Sequence, residues 1–360
     1  MRQKTRAILI ISIAATLCLD LTAAQSTLPR PPSVSTQKER PTDPEAELRT
    51  GTALTREGKF EEAIPHLLAA RGHVQEDYAA SFNLALCYQG TGRYQQSVDI
   101  LENLRANGHN TSAVNNLLAQ AYIGAAQPEK AFSSFQQAAA LAPTDEKIYV
   151  FIADACTDHK QYELGLRIVN VGIRNLPSSA RLYYERAMFL ARLDRFEEAK
   201  PDFEHAATLA PDSDIAYLAR AEESLFQDDV PAAVRTAREG LSKGYHDYVL
   251  QDLLAEVLIH GGAVPGQPEF SEARFLLESS VAQKPGYSTA QIALGKLYLI
   301  EDRPKDAVIH LEIGRRLEPQ NPAVYTNLAN AYRRLGDEQK ARKMLSQLKE
   351  LLQNGNRSGP

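Results

Sequence analysis

The feature that most constrains this 360-residue chain is a pattern that recurs every 34 residues. Three segments show it, LTREGKFEEAIPHLLAA from Leu54, LARLDRFEEAKPDFEHAA from Leu190 and YRRLGDEQKARKML from Tyr332. Each has a polar turn, a charged helix start and then an alanine. Self-similarity at a fixed period is the signature of repeat architectures. The chain is therefore predicted to be an array of one small structural unit.

A register set on Gly58 gives unit starts at 44, 78, 112, 146, 180, 214, 248, 288 and 322, so that one step is 40 residues and the others are 34. Small residues occupy the eighth and twentieth positions of all nine units, and mostly large ones occupy the eleventh and twenty-fourth. Small residues let two helix backbones approach, and large ones fill the groove beside them. Proline, which ends a helix, recurs at the thirty-second position: Pro143, Pro177, Pro211, Pro285 and Pro319.

This pattern resembles the tetratricopeptide repeat over residues 44–354, with small residues at positions 8 and 20 and proline at position 32. The resemblance implies an all-α fold, a right-handed α-α superhelix (a TPR solenoid) of about nine helix-turn-helix repeats. Tyrosines replace the tryptophan of position 4, and unit six has Ser224 and Ala237 where large residues are usual. Helices of this length are marginal alone, so stacking between units is expected to stabilise the array.

The N-terminus predicts export. Basic residues precede the apolar run 7–19, and the small residues of LTAA place a cleavage site after Ala24, which is typical of a signal peptide over residues 1–24. The apolar run has thirteen residues, whereas a bilayer span needs about 20; an uncleaved anchor is the alternative. We expect a periplasmic or secreted protein with no membrane span after cleavage.

Two short segments flank the array. Residues 25–43 contain four prolines and almost no apolar side chains, which predicts a disordered tether because little surface can be buried. Residues 355–360 form a polar tail. The formal net charge of −5 gives no indication of a nucleic-acid partner.

The stretch HGGAVPGQPEF, from His260 to Phe270, lengthens the turn of unit seven by six residues. An oxyanion loop would need a preceding strand and a GxSxG nucleophile, and a phosphate loop would need GK followed by Ser or Thr. The sequence has neither pattern. We interpret the stretch as an enlarged turn, with a partner-contacting bulge as the alternative.

Other chemical patterns have structural explanations. The histidines form no short metal-ligand pair, and Cys87 and Cys156 are predicted to be small buried residues, about two layers of 10 Å apart and so too distant for a disulfide. The Glu222–Glu223 pair near Asp228 and Asp229 predicts a solvated acidic patch. We expect no enzyme activity, no metal and no cofactor.

The resemblance implies that positions 2, 5, 9, 12 and 13 of each first helix line a concave groove that holds peptides, and that an asparagine at position 6 bonds a ligand backbone. Arginine and tyrosine around unit five suit an interface anchor. The candidate partner-binding residues are Asn83, Arg181, Tyr184, Met188, Arg192, Thr326, Asn327, Asn330, Arg333 and Arg334.

The function implied is that of an exported scaffold for protein or peptide partners. An apolar stripe on the last helix, near Gln339–Gln353, has no capping helix after it, although repeat arrays normally need a polar cap. It suggests weak self-association through the C-terminal helix. The alternatives are therefore an assembly factor that acts through the solenoid ends and an accessory subunit of an envelope enzyme complex.

Overall fold

A computed structural model describes residues 43–75, 77–318 and 321–355 of the chain. The predicted signal peptide, the tether up to residue 42 and the tail from residue 356 lie outside the described residues. Within them the chain forms two compact units that meet in sequence between Ala138 and Ala139. The described residues contain eighteen α-helices and no strand, so the predicted all-α array of nine helical hairpins is confirmed.

The helices alternate between the first and the second helix of each hairpin. The unit of residues 43–138 contains α1 (Pro44–Arg56), α2 (Phe60–Ala70), α3 (Asp77–Gly90), α4 (Tyr94–Ala106), α5 (Ser112–Gly124) and most of α6 (Pro128–Leu141). The unit of residues 139–355 contains α7 (Glu146–Asp158), α8 (Tyr162–Asn175), α9 (Ala180–Arg192), α10 (Phe196–Leu209), α11 (Asp214–Phe226), α12 (Val230–Ser242), α13 (Tyr248–His260), α14 (Pro268–Gln283), α15 (Ser288–Ile300), α16 (Pro304–Leu317), α17 (Pro322–Arg334) and α18 (Glu338–Gly355).

Side-chain caps start most of the first helices. An Asp, Ser, Thr or Asn side chain accepts a hydrogen bond from a backbone N–H in the first turn, which satisfies a donor that has no partner within the helix. The capping residues of α1, α5, α7, α9, α11, α13 and α17 are Asp43, Thr111, Asp145, Ser179, Ser213, Asp247 and Asn321.

The two helices of a hairpin pack through the small and large positions that the sequence predicts. A Cβ atom added to Gly51, at position 8, would lie 2.6 Å from Cγ of Leu67, at position 24. The same distance separates an added Cβ at Gly295 from Cγ of Leu311. Both leucines are fully buried. The small residue at position 8 therefore leaves the space that the large residue at position 24 occupies.

Each hairpin turn contains a residue with positive φ at position 15. These residues are Gly58, Gly92, Ala126, Lys160, Asp194, Asp228, Gly262, Asp302 and Gly336. In unit seven Gly262 keeps this geometry, and the inserted residues are shared between a longer turn and a longer second helix. Its turn has seven residues, 261–267, instead of the three of 227–229, and α14 has sixteen residues where α16 has fourteen.

In the unit of residues 139–355, each first helix contacts the first helix of the next hairpin, from α7 through α17. Among the described residues, the second helices α8, α10, α12, α14 and α16 make no such contacts with one another. The first helices therefore line the inner side of this unit. No described helix has the length and apolar character that a membrane crossing requires.

Candidate partner-binding grooves

The inner face of residues 43–138 carries neutral polar groups. Asn83, on α3, is half-buried, and its Nδ2 donates to the Ala79 carbonyl at 2.9 Å and to Thr52 Oγ1 at 3.5 Å. On α5, Gln120 Nε2 donates to Asn116 Oδ1 at 2.5 Å. The amide donor of Asn83 is thus already engaged within the unit, and its carbonyl oxygen is the atom best placed to meet a ligand.

The inner face of residues 139–355 is charged instead. Acidic side chains stand at position 9 of α7, α11 and α13, namely Asp154, Glu222 and Glu256, and at position 5 of α13, Asp252. Distant hairpins of this unit lie near one another. The positive charge of Lys284, after α14, opposes the rise in pKa of both Asp154 and Asp158 on α7. The inner face of this unit is therefore a groove walled by several hairpins.

Arg181 and Glu185 form an ion pair one turn apart on α9. Arg181 Nε donates to Glu185 Oε1 at 2.7 Å, and the Glu185 side chain is only 8% exposed. Burial raises the pKa of Glu185, and the Arg181 charge opposes that shift. The guanidinium also lies 5.9 Å from the ring centre of Tyr184. The predicted partner residue Arg181 thus has its charge matched within its own helix.

Glu222, Asp252 and Glu256 form what we call the carboxylate cluster. Asp252 is 3% exposed, and its Oδ2 accepts a hydrogen bond from the Tyr287 hydroxyl at 3.2 Å. Burial, then the charges of Glu256 and Glu222, raise the pKa of Asp252 to about 8. Burial also raises the pKa of Glu222 to about 7, with Arg192 opposing the shift. Burial is thus the main reason why the pKa values of Asp252 and Glu222 are raised, and the neighbouring carboxylates add to it.

Tyr184 belongs largely to the core. It is 5% exposed, and its ring packs edge-to-face on Phe203 at a centroid distance of 6.2 Å. Burial raises the pKa of its hydroxyl well above the usual range, and the Glu222 charge adds to that shift. Met188 and Arg192, further along α9, are half-buried. The three residues predicted with Arg181 therefore share one stretch of the groove.

The predicted residues of α17 are arranged differently. Thr326 Oγ1 donates to the Pro322 carbonyl at 3.0 Å, and Arg334 Nη1 donates to the Leu299 carbonyl at 2.5 Å. Arg333 is exposed, whereas Asn327 and Asn330 are half-buried. No hydrogen bond or ion pair among the described residues connects these side chains to those of α9, so the two predicted sets do not form one site.

The sequence interpretation misses the carboxylate cluster and misplaces Glu222. It groups Glu222 with Glu223, Asp228 and Asp229 as one solvated patch, but both glutamates are half-buried and only the two aspartates are exposed. Neighbouring residues on a helix point about 100° apart; Glu223 therefore lies toward Lys200 and Glu204 of α10, while Glu222 lies in the groove beside Arg192. The signal was present, because Asp154, Glu222 and Glu256 occupy the same position 9 as Met188.

Two other features provide no competing site. An open depression of 530 Å³ between α8, α9 and α10 is lined by Arg186 and Asp202 among others, and these two are already joined by two hydrogen bonds of 2.6 Å. Cys87 and Cys156 are buried free thiols whose pKa burial raises. Within the described residues, no group of three His, Cys, Asp or Glu side chains is placed to hold a metal ion.

The family assignment follows from these hairpins and from three sequence matches. Family profiles of the tetratricopeptide repeat match residues 54–121, 156–222 and 322–351. The chain is a tetratricopeptide repeat protein. The matched segments fall in both units, and they agree with the hairpin register described above.

Several solved structures are similar to this tetratricopeptide repeat protein at low sequence identity. The Cut9–Hcn1 hetero-tetramer of the APC/C is 12% identical, with a TM-score of 0.48 over 86% of this chain and 74% of that one. A tetratricopeptide repeat protein from Parabacteroides merdae is 15% identical, with a TM-score of 0.43 over 80% and 98%. The human IFIT1 dimer with m7Gppp-AAAA is 14% identical, with a TM-score of 0.40 over 86% and 90%. No curated protein sequence matches the chain.

Proposed function

We propose that this tetratricopeptide repeat protein is an exported scaffold that binds protein or peptide segments in the groove of residues 139–355, without catalysis. The observation that carries the proposal is the set of ionisable side chains on the inner face of α7, α9, α11 and α13. Charges held in a partly desolvated groove cost free energy unless a partner compensates them. Perturbed pKa values of this kind cluster at functional sites.

Site-specific photo-crosslinking tests where a partner binds. Benzoylphenylalanine is placed at Met188, inside the groove, and in a separate variant at Ile309, which is 58% exposed on the second helix α16. We expect crosslinked partners from position 188 and far fewer from position 309 when both are irradiated in cells. Crosslinks confined to position 309, or absent from both, would contradict the proposal.

Side-chain variants then identify the anchors. Tyr184 is buried against Phe203, so Tyr184→Ala would test folding as much as binding. Tyr184→Phe removes only the hydroxyl, and Arg192→Gln removes the charge but keeps a shorter polar side chain. We expect each to reduce the crosslink yield at position 188 while the circular dichroism spectrum is unchanged; full yield from both variants would assign the anchoring to other residues.

We further propose that residues 1–24 direct export. The support is the sequence pattern of a basic start, an apolar run and small residues before Gln25. Mass spectrometry of the protein recovered from a periplasmic or culture-medium fraction should find an N-terminus at Gln25. Recovery of the intact chain from the cytoplasm alone would contradict this.

A second candidate is assembly through the C-terminal helix. Leu345 and Leu352 on α18 are 40% and 51% exposed and lie seven residues apart, which places them on one face of the helix. Light scattering during gel filtration should report a concentration-dependent dimer that Leu345→Glu with Leu352→Glu abolishes. A monomer at every concentration would remove this candidate.

A further inference from the structure

The carboxylate cluster has an excess of negative charge that the unit does not balance. Glu222, Asp252 and Glu256 act on one another, and Arg192 is the cation that acts on Glu222. Arg181 is matched by Glu185 on its own helix. Asp252 is buried, Glu222 is half-buried and Glu256 is exposed, and nearby negative charges disfavour the ionised form of a buried carboxyl group. The repulsion is relieved either by protonation or by an additional cation.

Two polar groups of the groove, one on Asp252 and one on Tyr184, have unused hydrogen-bonding capacity within the described residues. Asp252 Oδ1 is buried and makes no hydrogen bond within the described residues, although its other oxygen is bonded to Tyr287. The hydroxyl of Tyr184, a residue that is 5% exposed, likewise makes none of the hydrogen bonds found in the described part of the chain. They come from two different hairpins, α9 and α13, and both are acted on by Glu222. Buried polar groups are normally satisfied, and of these two atoms only Asp252 Oδ1 is fully buried, so this oxygen indicates a missing partner.

We propose that the carboxylate cluster binds a lysine or arginine side chain of an extended peptide segment, with Asp252 Oδ1 and the Tyr184 hydroxyl as additional contacts. The inference rests on the proposed groove function and specifies the chemistry of its partner.

The donor inventory of the site favours this occupant. Carboxylates only accept hydrogen bonds when ionised, so an anionic or purely accepting ligand would meet repulsion from Glu222, Asp252 and Glu256. An ammonium or guanidinium group supplies donors and positive charge together. A tyrosine ring can also attract a cation, and the Tyr287 hydroxyl donates a hydrogen bond to Asp252 Oδ2. A basic side chain is therefore the complementary group.

The experiment uses the full chain and three fluorescent nonapeptides of Ala and Ser, capped at both ends. One carries three lysines, one three glutamines and one three glutamates. Fluorescence anisotropy at pH 8 should show the lysine probe binding at least about tenfold more tightly than the glutamine probe, as expected for a desolvated charge contact. The glutamate probe should not bind. Equal affinities for the lysine and glutamine probes would overturn the proposal.

A matched pair of variants locates the contact. Glu222→Gln should weaken the lysine probe by about tenfold, and Asp252→Asn should do the same. Glu223→Gln is the control, because Glu223 is the next residue on α11 and has Gln227 and the α10 charges as its neighbours; it should leave the affinity unchanged. Circular dichroism confirms that each variant is folded. Loss of affinity in Glu223→Gln equal to that in Glu222→Gln would contradict the assignment.

A pH titration provides a readout that a purely structural role would not change. The groups that act on Asp252 are Glu256 from its own helix, Glu222 from α11 and Tyr287 before α15. Because the carboxyls must be ionised to bind the cation while lysine stays charged, affinity for the lysine probe should rise by about tenfold from pH 6 to pH 8.5. The rise should disappear in the Glu222→Gln, Asp252→Asn double variant, and a pH-independent wild type would overturn the proposal.

These outcomes separate the two proposals. If position 188 crosslinks to a partner but the three probes bind alike, the cation inference is wrong and the groove function stands. If position 188 gives no crosslink and no probe binds, both are wrong.

Discussion

The two compact units build the same hairpin and present different chemistry on its first helix. In α1, α3 and α5, positions 5 and 9 hold no charged residue: they are Leu48, Thr52, Phe82, Leu86, Asn116 and Gln120. In α7, α11, α13 and α15 the same positions include Asp154, Glu222, Asp252, Glu256 and Lys296.

The difference separates what the fold needs from what it leaves free. Positions 8 and 20 determine how closely two helices pack, and they hold small residues in all nine hairpins of the two units. Position 9 points to the inner side and is buried in none of the nine hairpins, so packing does not select its residue type. The recognition chemistry of a unit can therefore change without a change of its hairpins, and four experiments test that separation.

The largest change in stability is expected from breaking the Arg181–Glu185 ion pair, which lies in the charged groove of residues 139–355. Arg181→Met leaves the buried carboxylate of Glu185 without its cation, which should lower the free energy of unfolding by about 3 kcal/mol. Arg93→Met breaks the pair of Arg93 Nη2 with Glu61 Oε2, 2.8 Å apart and exposed on both sides, and should cost less than about 1 kcal/mol. Urea unfolding measures both.

A double variant controls for packing in that comparison. Arg181→Met with Glu185→Gln removes the uncompensated charge, so most of the lost stability should return. If Arg181→Met and Arg93→Met cost the same, the charged groove is no more desolvated than the outer surface, and the contrast between the units fails.

The next effect is a pH dependence of stability. Asp252 has a pKa of about 8 in the folded state and about 3.9 when unfolded, so the folded state holds its proton more tightly. The stabilisation is complete below the unfolded pKa and is lost as pH rises through the folded pKa. The free energy of unfolding of this unit should fall by about 3 kcal/mol between pH 5 and pH 8.

Hydrogen exchange followed by mass spectrometry measures this effect locally. Peptides from α13 should lose protection with rising pH beyond the intrinsic rate change in the wild type, and Asp252→Asn should reduce that excess to the share of Glu222, whose pKa is also raised. Peptides from α3 should respond identically in the two proteins. An α13 response of unchanged size in Asp252→Asn would assign the pH dependence to other groups.

The hairpin array was predictable from sequence because it depends on side-chain volume, which a repeat displays column by column. The inner-face position of Asn83, Tyr184 and Arg192 also follows from register alone. The carboxylate cluster was missed because Glu222 looks like a member of an exposed acidic run until its position 9 is compared with positions 5 and 9 of α13. The lack of a hydrogen bond to Asp252 Oδ1 within the described residues cannot be predicted from the sequence, because it depends on the atoms that surround this oxygen.

A smaller effect should be equal in the two units. Ala119 and Ala153 occupy position 8 in α5 and α7, and both are fully buried. Replacing either by leucine overpacks the hairpin and should cost about 2 kcal/mol, as measured by urea unfolding. Ala282→Leu, on the exposed face of α14, is the control and should change stability by less than about 0.5 kcal/mol. A cost in only one unit would mean that the hairpins are not equivalent.

The smallest effect concerns the turns, and it compares residue types at the same position 15. Ala126 has φ 55° in the unit of residues 43–138, and Asp194 has φ 59° in the other. Glycine adopts this conformation without the steric cost of a Cβ atom, although it loses more entropy on folding. Ala126→Gly should therefore stabilise the chain by about 0.5 kcal/mol, whereas Asp194→Gly should gain less because aspartate tolerates the left-handed region. The urea midpoints of the two variants measure this difference in stability. A larger stabilisation by Asp194→Gly would show that the turn between α9 and α10 has a source of strain besides the φ angle of Asp194.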